Sequence, residues 1–271
     1  MRIIEPHIHM YTRTTEDYEK MAISGIEVVV EPSFWSGTDR SSPASFDDYF
    51  RHLITFERQR AQEYGIKHFT AIGLNPKEAN NRSLANEVLT VVEKYLEQPQ
   101  VVAVGEIGFD QITAAEEELF IRQLLMAKSR NMLVMIHSPH QNKLEGVKRI
   151  LPIIRDSGLP VGTVLVDHNT EETIDLTLES GVWAGLTVYP ISKLTVERAI
   201  EILKRVGTDR MMVNGSADWG ISDPLSVPKV VWQMRRSGFS LQEIHKIVFK
   251  NPVGFFAQSP HFIIESQEDV I

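Results

Sequence analysis

The sequence predicts a single-domain α/β protein, a (β/α)8 TIM barrel that takes in residues 1–271. Three observations carry that prediction. Eight short runs rich in Val, Ile, Leu and Met are each followed by a stretch with helical spacing of apolar residues. Connections are a few residues long, and no low-complexity or Pro/Gly-rich linker divides the 271 residues into two units. No Gly-rich phosphate turn follows an early strand, as an open doubly wound sheet would require; Gly105-Glu106-Ile107-Gly108 has the wrong spacing and context.

In chain order, Arg2-Ile3-Ile4 reads as a buried strand, and Pro6 beyond it removes only one ladder donor. Glu16 to Ile23 is helical and stops at Ser24-Gly25. Glu27 to Glu31 is the second strand, followed by a loop from Pro32 to Pro43 that carries Phe34 and Trp35. Ser45 to Tyr64 is helical, Lys67 to Leu74 a strand ending at Asn75-Pro76, and Ser83 to Leu96 helical. Val101 to Val104 forms the fourth strand and is stopped at Gly105. Ala114 to Arg130 is an amphipathic helix, and Glu116-Glu117-Glu118 suits the positive end of its dipole. Leu133 to Ile136 runs as a strand into His137. The helix Leu144 to Ser157 precedes the strand Val161 to Val166, which leads into Asp167-His168. Glu171 to Ser180 is helical, Val182 to Val188 a strand and Thr195 to Val206 helical. Met211 to Val213 is the eighth strand, and helices over Ser226 to Arg236 and Leu241 to Phe249 finish the fold. The tail Gln258 to Ile271 is acidic and partly apolar, so packing on the barrel and packing on a neighbour both remain open.

Composition narrows the chemistry. The formal net charge of −8 leaves no global positive field for a long phosphate backbone, so a nucleic-acid substrate would have to be gripped locally. Cysteine is absent, which removes disulfides and thiolate zinc sites and leaves His, Asp and Glu as metal ligands. No signal-like apolar run opens the chain and no stretch is long enough to span a membrane, which points to a cytoplasmic protein.

Strand C-termini converge on one face of a barrel, where the site is built. His7 and His9 follow the first strand, Glu106 the fourth, His137 the fifth, His168 the sixth, and Asp218 the eighth. The His-x-His pair lies on an extended segment, so both rings share a face. A lone strand-end histidine is usually a hydrogen-bonded loop residue, and Asp218 alone could be a helix cap. Four of nine histidines together with two carboxylates at strand ends point instead to a metal site. Asn75, His140, Trp219 and Trp35 are candidate substrate contacts on the same face. Arg40 and Lys143 are open as anion contacts but read foremost as solvated cations, and His52, His68, His245 and His261 read as structural.

The segments Glu5-Pro6-His7-Ile8-His9, Gly73-Leu74-Asn75-Pro76, Val104-Gly105-Glu106-Ile107-Gly108-Phe109-Asp110, Ile136-His137-Ser138, Asp167-His168, Ser216-Ala217-Asp218 and Asn251-Pro252-Val253-Gly254-Phe255-Phe256 resemble the TatD-like metal-dependent hydrolases of the amidohydrolase superfamily. The resemblance covers most of the chain. The sequence is similar to a divergent branch, with Asn75 where a histidine is usual, Ser216-Ala217 where Glu-Thr is usual, and Glu5 where Asp is frequent.

The resemblance implies two divalent metal ions, zinc or manganese foremost with magnesium open. One would be held by His7, His9 and Asp218, the other by His137 and His168, with Glu106 bridging. Asp218 would act as general base beside Glu106, and Glu5, Glu31 and Asp167 would orient the ligand histidines. The implied reaction is metal-assisted hydrolysis of a phosphoester or other ester or amide bond in a small molecule or short phosphoester, with DNase-related activity open. A lactonase or phosphotriesterase-like esterase is the alternative within the superfamily, and a catalytically silent metal-binding barrel the alternative outside it. The oligomeric state is left undetermined.

Overall fold

A computed structural model describes residues 1–264. Its centre is β1 (Ile3–Glu5), β2 (Ile26–Pro32), β3 (Lys67–Ile72), β4 (Val101–Gly108), β5 (Leu133–His137), β6 (Val164–Asp167), β7 (Trp183–Thr187) and β8 (Met211–Asn214). The sheet runs in chain order, every neighbouring pair parallel. This is the predicted (β/α)8 barrel, with helices covering its outer face.

The barrel closes between β8 and β1 without a ladder among the described residues. Beyond the strand ends the Ser216 amide donates to the His7 carbonyl at 2.8 Å, and the His9 amide donates to the Ala217 carbonyl at 3.0 Å. The buried Glu5 carboxylate accepts from the Gly215 amide at 3.1 Å. A strand of three residues therefore still seals the seam, and it does so at the height of the site.

Inside the barrel, Ile4, Val28, Val30, Phe69, Met135, Leu165 and Met212 belong to one apolar cluster, which Phe255, Phe256 and Phe262 extend at the strand N-terminal end. Alternation along a strand then fixes what faces the axis higher up. Two residues beyond Met135, Leu165 and Met212 stand His137, Asp167 and Asn214, all buried.

Among the departures from the expected element boundaries, four stand out. β4 does not stop at Gly105 but continues to Gly108, with a register shift between Val104 and Ile107. Glu106 sits in that irregularity, where an extra residue re-aims its side chain. Gly105 is required there, because a Cβ would lie 2.8 Å from the Met135 carbonyl oxygen. Val161–Thr163 is a 3-10 turn, so β6 begins at Val164; Pro160 and Gly162 break the strand before it. The helix expected over 171–180 is shorter, Ile174–Glu179. The last helix runs past Phe249 through a π turn, Lys246–Lys250, into Asn251–Phe256. Pro252 is tolerated because it falls in the first turn after the change of register, where its missing N–H costs least.

Of the tail, Phe262 is buried with its ring 4.7 Å from that of Phe69, which places this part on the barrel. Residues 265–271 lie outside the described residues. Among the described residues no helix is long and apolar enough to cross a membrane.

Candidate metal centre

His7, His9, Glu106, His137 and His168 meet where the strand ends converge. Glu106 Oε1 lies 2.9 Å from His137 Nδ1 and 2.9 Å from His168 Nε2, and 3.6 Å from His7 Nε2. Nitrogen faces nitrogen at 3.3 Å between His7 Nε2 and His9 Nε2, and at 3.0 Å between His168 Nε2 and His137 Nδ1. Donor atoms of His7, Glu106 and His168 all lie within 4.8 Å of one another. Imidazole lone pairs that close repel unless a proton or a cation sits between them.

The surroundings suit a cation. Burial holds the His9 pKa well below its usual value; burial, followed by Lys193, does the same for His168. Both rings are therefore neutral, the form that binds metal. Burial by itself would raise the Glu106 pKa, but His137 and His7 beside it hold the carboxylate ionised, well below the ordinary range. Among the described residues, His9 Nδ1 and His137 Nε2 are buried with no hydrogen-bond partner. Neutral imidazoles, an ionised buried carboxylate and orphaned ring nitrogens form a donor set that fits a divalent ion such as zinc or manganese.

Neighbouring groups fix the rings. His7 Nδ1 lies 2.8 Å from Asp167 Oδ2; a carboxylate only accepts, so Nδ1 carries the proton and Nε2 offers its lone pair to the cluster. Asn214 in turn donates to Asp167 Oδ1 at 2.8 Å. Gly185 on β7 leaves room for that carboxylate, since a Cβ there would collide with Asp167 Oδ1. His168 follows β6 with φ of +62°, a left-handed turn, and its Nδ1 lies 2.7 Å from Thr187 Oγ1. His9 stacks on Phe34 with ring centroids 3.9 Å apart.

The two other expected orienting carboxylates do something else. Glu5 accepts from the backbone amides of His7 and Gly215 and touches no ligand ring. Glu31 points out of the barrel, one residue past the inward Val30, and accepts from the Tyr11 amide and from His68. Alternation explains both: an odd number of residues separates them from the inward face.

Asp218 lines the same cleft but stands apart from the five clustered residues. Its Oδ1 accepts from the Tyr189 hydroxyl at 2.9 Å and from the Gly220 amide at 2.7 Å. Asn75 donates to Glu106 Oε2 at 3.0 Å and accepts from the Lys77 amide, so both ends of its amide are engaged. His140, Trp35 and Trp219 line the cleft. Burial first, then the neighbouring His137 and Lys193, pushes the His140 pKa down to about 2, so its ring is neutral at ordinary pH.

Arg40 and Lys143 are not the solvated cations that were expected. Arg40 is buried on Glu78 at 2.7 Å. Lys143 is 7% exposed, and its Nζ donates to Ser138 Oγ at 3.1 Å. Burial, then the charge of Lys193, pushes the Lys143 pKa down to about 7 from an ordinary 10.5. Below about 7 both folded and unfolded chains hold the proton, and the cost of burying the charge is fully felt. Between about 7 and 10.5 the unfolded chain binds more protons, so stability rises with pH. Urea unfolding at about pH 7 and pH 9 is expected to show that rise. Lys143→Met is expected to add about 1 kcal/mol or more at pH 7 and to flatten the slope; parallel pH curves for the two proteins would contradict the assignment.

Tyr189 and Lys193 also face the cleft, and the sequence reading passed over both. They follow β7, whose end carries no histidine. The strand-end rule that picked out the histidines applies equally to this loop and would have found them.

The sequence matches the family described as TatD related DNase over residues 6–257. An uncharacterized metal-dependent hydrolase of Methanocaldococcus jannaschii is 33% identical over 256 residues, which is 94% of this chain and 99% of that protein. A 3'-5' ssDNA/RNA exonuclease TatD of Erwinia tasmaniensis is 24% identical over 174 residues, 60% of this chain and 64% of its own length. The crystal structure of a TatD-like protein from Archaeoglobus fulgidus has the same fold, with a TM-score of 0.77 and 28% identity over 94% of this chain and 99% of that one. The barrel, its strand-end cluster and these likenesses define a metal-dependent hydrolase. The chain belongs to the TatD related DNase family.

Proposed function

We propose that this chain hydrolyses phosphoester bonds at a two-ion site in which His7, Glu106 and His168 form the centre and His9, His137 and Asp218 complete the ligand set. The observation that carries the reading is the convergence of His7, His137 and His168 on the ionised Glu106 carboxylate, with His9 against His7, at the barrel face where catalytic sites are built. Divalent ions held there would polarise the substrate oxygen and make water a stronger acid.

The remaining work falls to protein side chains. Asp218, fixed through Oδ1 by Tyr189 and Gly220, offers its other oxygen as a general base. It takes a proton from the attacking water and returns it to the departing ester oxygen. Asp167 keeps His7 in one tautomer, and Asn75 keeps Glu106 in one rotamer. Phe34, Trp35 and Trp219 form an aromatic wall on one side of the cleft, suited to a planar group on the substrate.

The cleft has a volume of about 230 Å³ and an open mouth, room for a terminal phosphoryl unit with the rest of the substrate outside. The exonuclease activity in the name of the Erwinia tasmaniensis relative supports phosphoesters over other esters. A strand end can reach this site in spite of the net negative charge, since only its terminal unit has to enter. The test is turnover of p-nitrophenyl phosphate, bis-p-nitrophenyl phosphate, a short single-stranded oligonucleotide and a lactone by protein reconstituted with zinc or manganese. Turnover of at least one phosphoester, abolished by chelator and restored by metal, is expected. Turnover of the lactone alone, or of nothing, would contradict the reading.

A further inference from the structure

Lys193 is 8% exposed and lines the cleft. Its Nζ donates to Ser216 Oγ at 3.2 Å and lies 4.8 Å from the centre of the Tyr189 ring. Among the described residues no carboxylate comes within ion-pair distance of it, although an ammonium carries three donors. Burying a charge without a partner is expensive.

The backbone holds this lysine in place. Its amide donates to the Tyr189 carbonyl at 2.9 Å, and its carbonyl accepts from Arg198 at 2.7 Å. The loop is closed by a bridge between Val188 and Leu194. Ser216 has φ of +42°, a left-handed conformation that is uncommon for serine and that recurs at functional sites. Lys143 is buried nearby, and among the described residues its hydrogen bonds go to Ser138 alone; burial followed by the charge of Lys193 lowers its pKa. The rim adds Lys77, whose ammonium is paired with Asp110 at 3.1 Å. The cleft lining thus carries two lysines, Lys77 and Lys193, and of these Lys193 has no carboxylate paired with it among the described residues, in a protein of net charge −8.

We infer that Lys193, seated on Ser216, binds a non-bridging oxygen of an anionic phosphoryl group and thereby selects phosphate mono- and diesters over neutral lactones and triesters. The inference rests on the phosphoester reading above and names the residue that enforces it. Lys193 is a specificity-determining contact, and the bond-breaking chemistry does not pass through it.

The experiment uses metal-loaded protein with inorganic phosphate as the probe, measured by calorimetry. Phosphate is expected to bind the parent. Lys193→Met is expected to weaken it by about 10- to 100-fold, as loss of a charge-assisted hydrogen bond does, while Lys193→Arg stays within a few-fold of the parent. Metal content is expected to be the same in all three. Steady-state rates on p-nitrophenyl phosphate should show the loss in Lys193→Met mainly as a raised KM, with kcat less affected. Equal phosphate affinity in parent and Lys193→Met would overturn the inference. So would absence of phosphate binding in the parent, or loss of metal in Lys193→Met, which would place the lysine's role at the metal cluster. Lys193-dependent phosphate binding in a protein that turns over no phosphoester would uphold the clamp and defeat the hydrolase reading, so the two fail separately.

Discussion

Asp218→Asn is expected to lower kcat by about 10²- to 10⁴-fold, the range for loss of a general base, with the fold intact. The amide oxygen of asparagine can still accept from the Tyr189 hydroxyl and the Gly220 amide, which the parent holds at 2.9 Å and 2.7 Å. The loop geometry is therefore preserved, and what disappears is the carboxylate that accepts a proton. Gly220 contributes to this arrangement, because any Cβ there would strike the Tyr189 hydroxyl. Stopped-time assays with parent and variant at matched metal loading check the prediction. A rate within about threefold of the parent would reduce Asp218 to a loop cap, the alternative that its turn position also allows.

Glu106→Gln is expected to have a larger effect, because one oxygen atom of this side chain touches two imidazoles and approaches a third. The substitution is nearly isosteric, and Asn75 keeps a partner at the second oxygen position. The charge that balances a cation is lost. Metal content is expected to fall, and turnover with it by about 10³-fold or more, the equivalent of the several kcal/mol of charge stabilisation that a divalent ion supplies. The circular dichroism spectrum is expected to match the parent, since Glu106 lies in the β4 irregularity and outside the apolar clusters. Full activity at normal metal loading would show that the carboxylate neither holds ions nor supports the reaction.

The barrel and the residues of the cluster were legible because both are one-dimensional patterns. Apolar runs mark strands, and a histidine or carboxylate immediately after a run marks the active face; His7, His9, Glu106, His137 and His168 were all found in that way. What was not legible depends on direction or on long-range contact. Glu31 sits at a strand end like the others but points outward, a fact that counting alternate residues from Val30 would have revealed. Arg40 looks like a surface residue in the sequence, but Glu78 arrives from across the fold to pair with it, and Lys143 turns inward onto Ser138 of its own loop. The length of β4 was hidden by two glycines that read as a stop, whereas they are what lets the strand bulge at Glu106. Lys193 and Tyr189 acquire their roles only when the loop after β7 folds over β8.

Metal stoichiometry tests the central claim most directly. Elemental analysis of the parent, purified without chelator and then reconstituted with zinc or manganese, is expected to give about two divalent ions per chain, and clearly fewer in Glu106→Gln. No retained metal in the parent after reconstitution, or the same amount in both proteins, would contradict the assignment of the strand-end cluster as the metal centre.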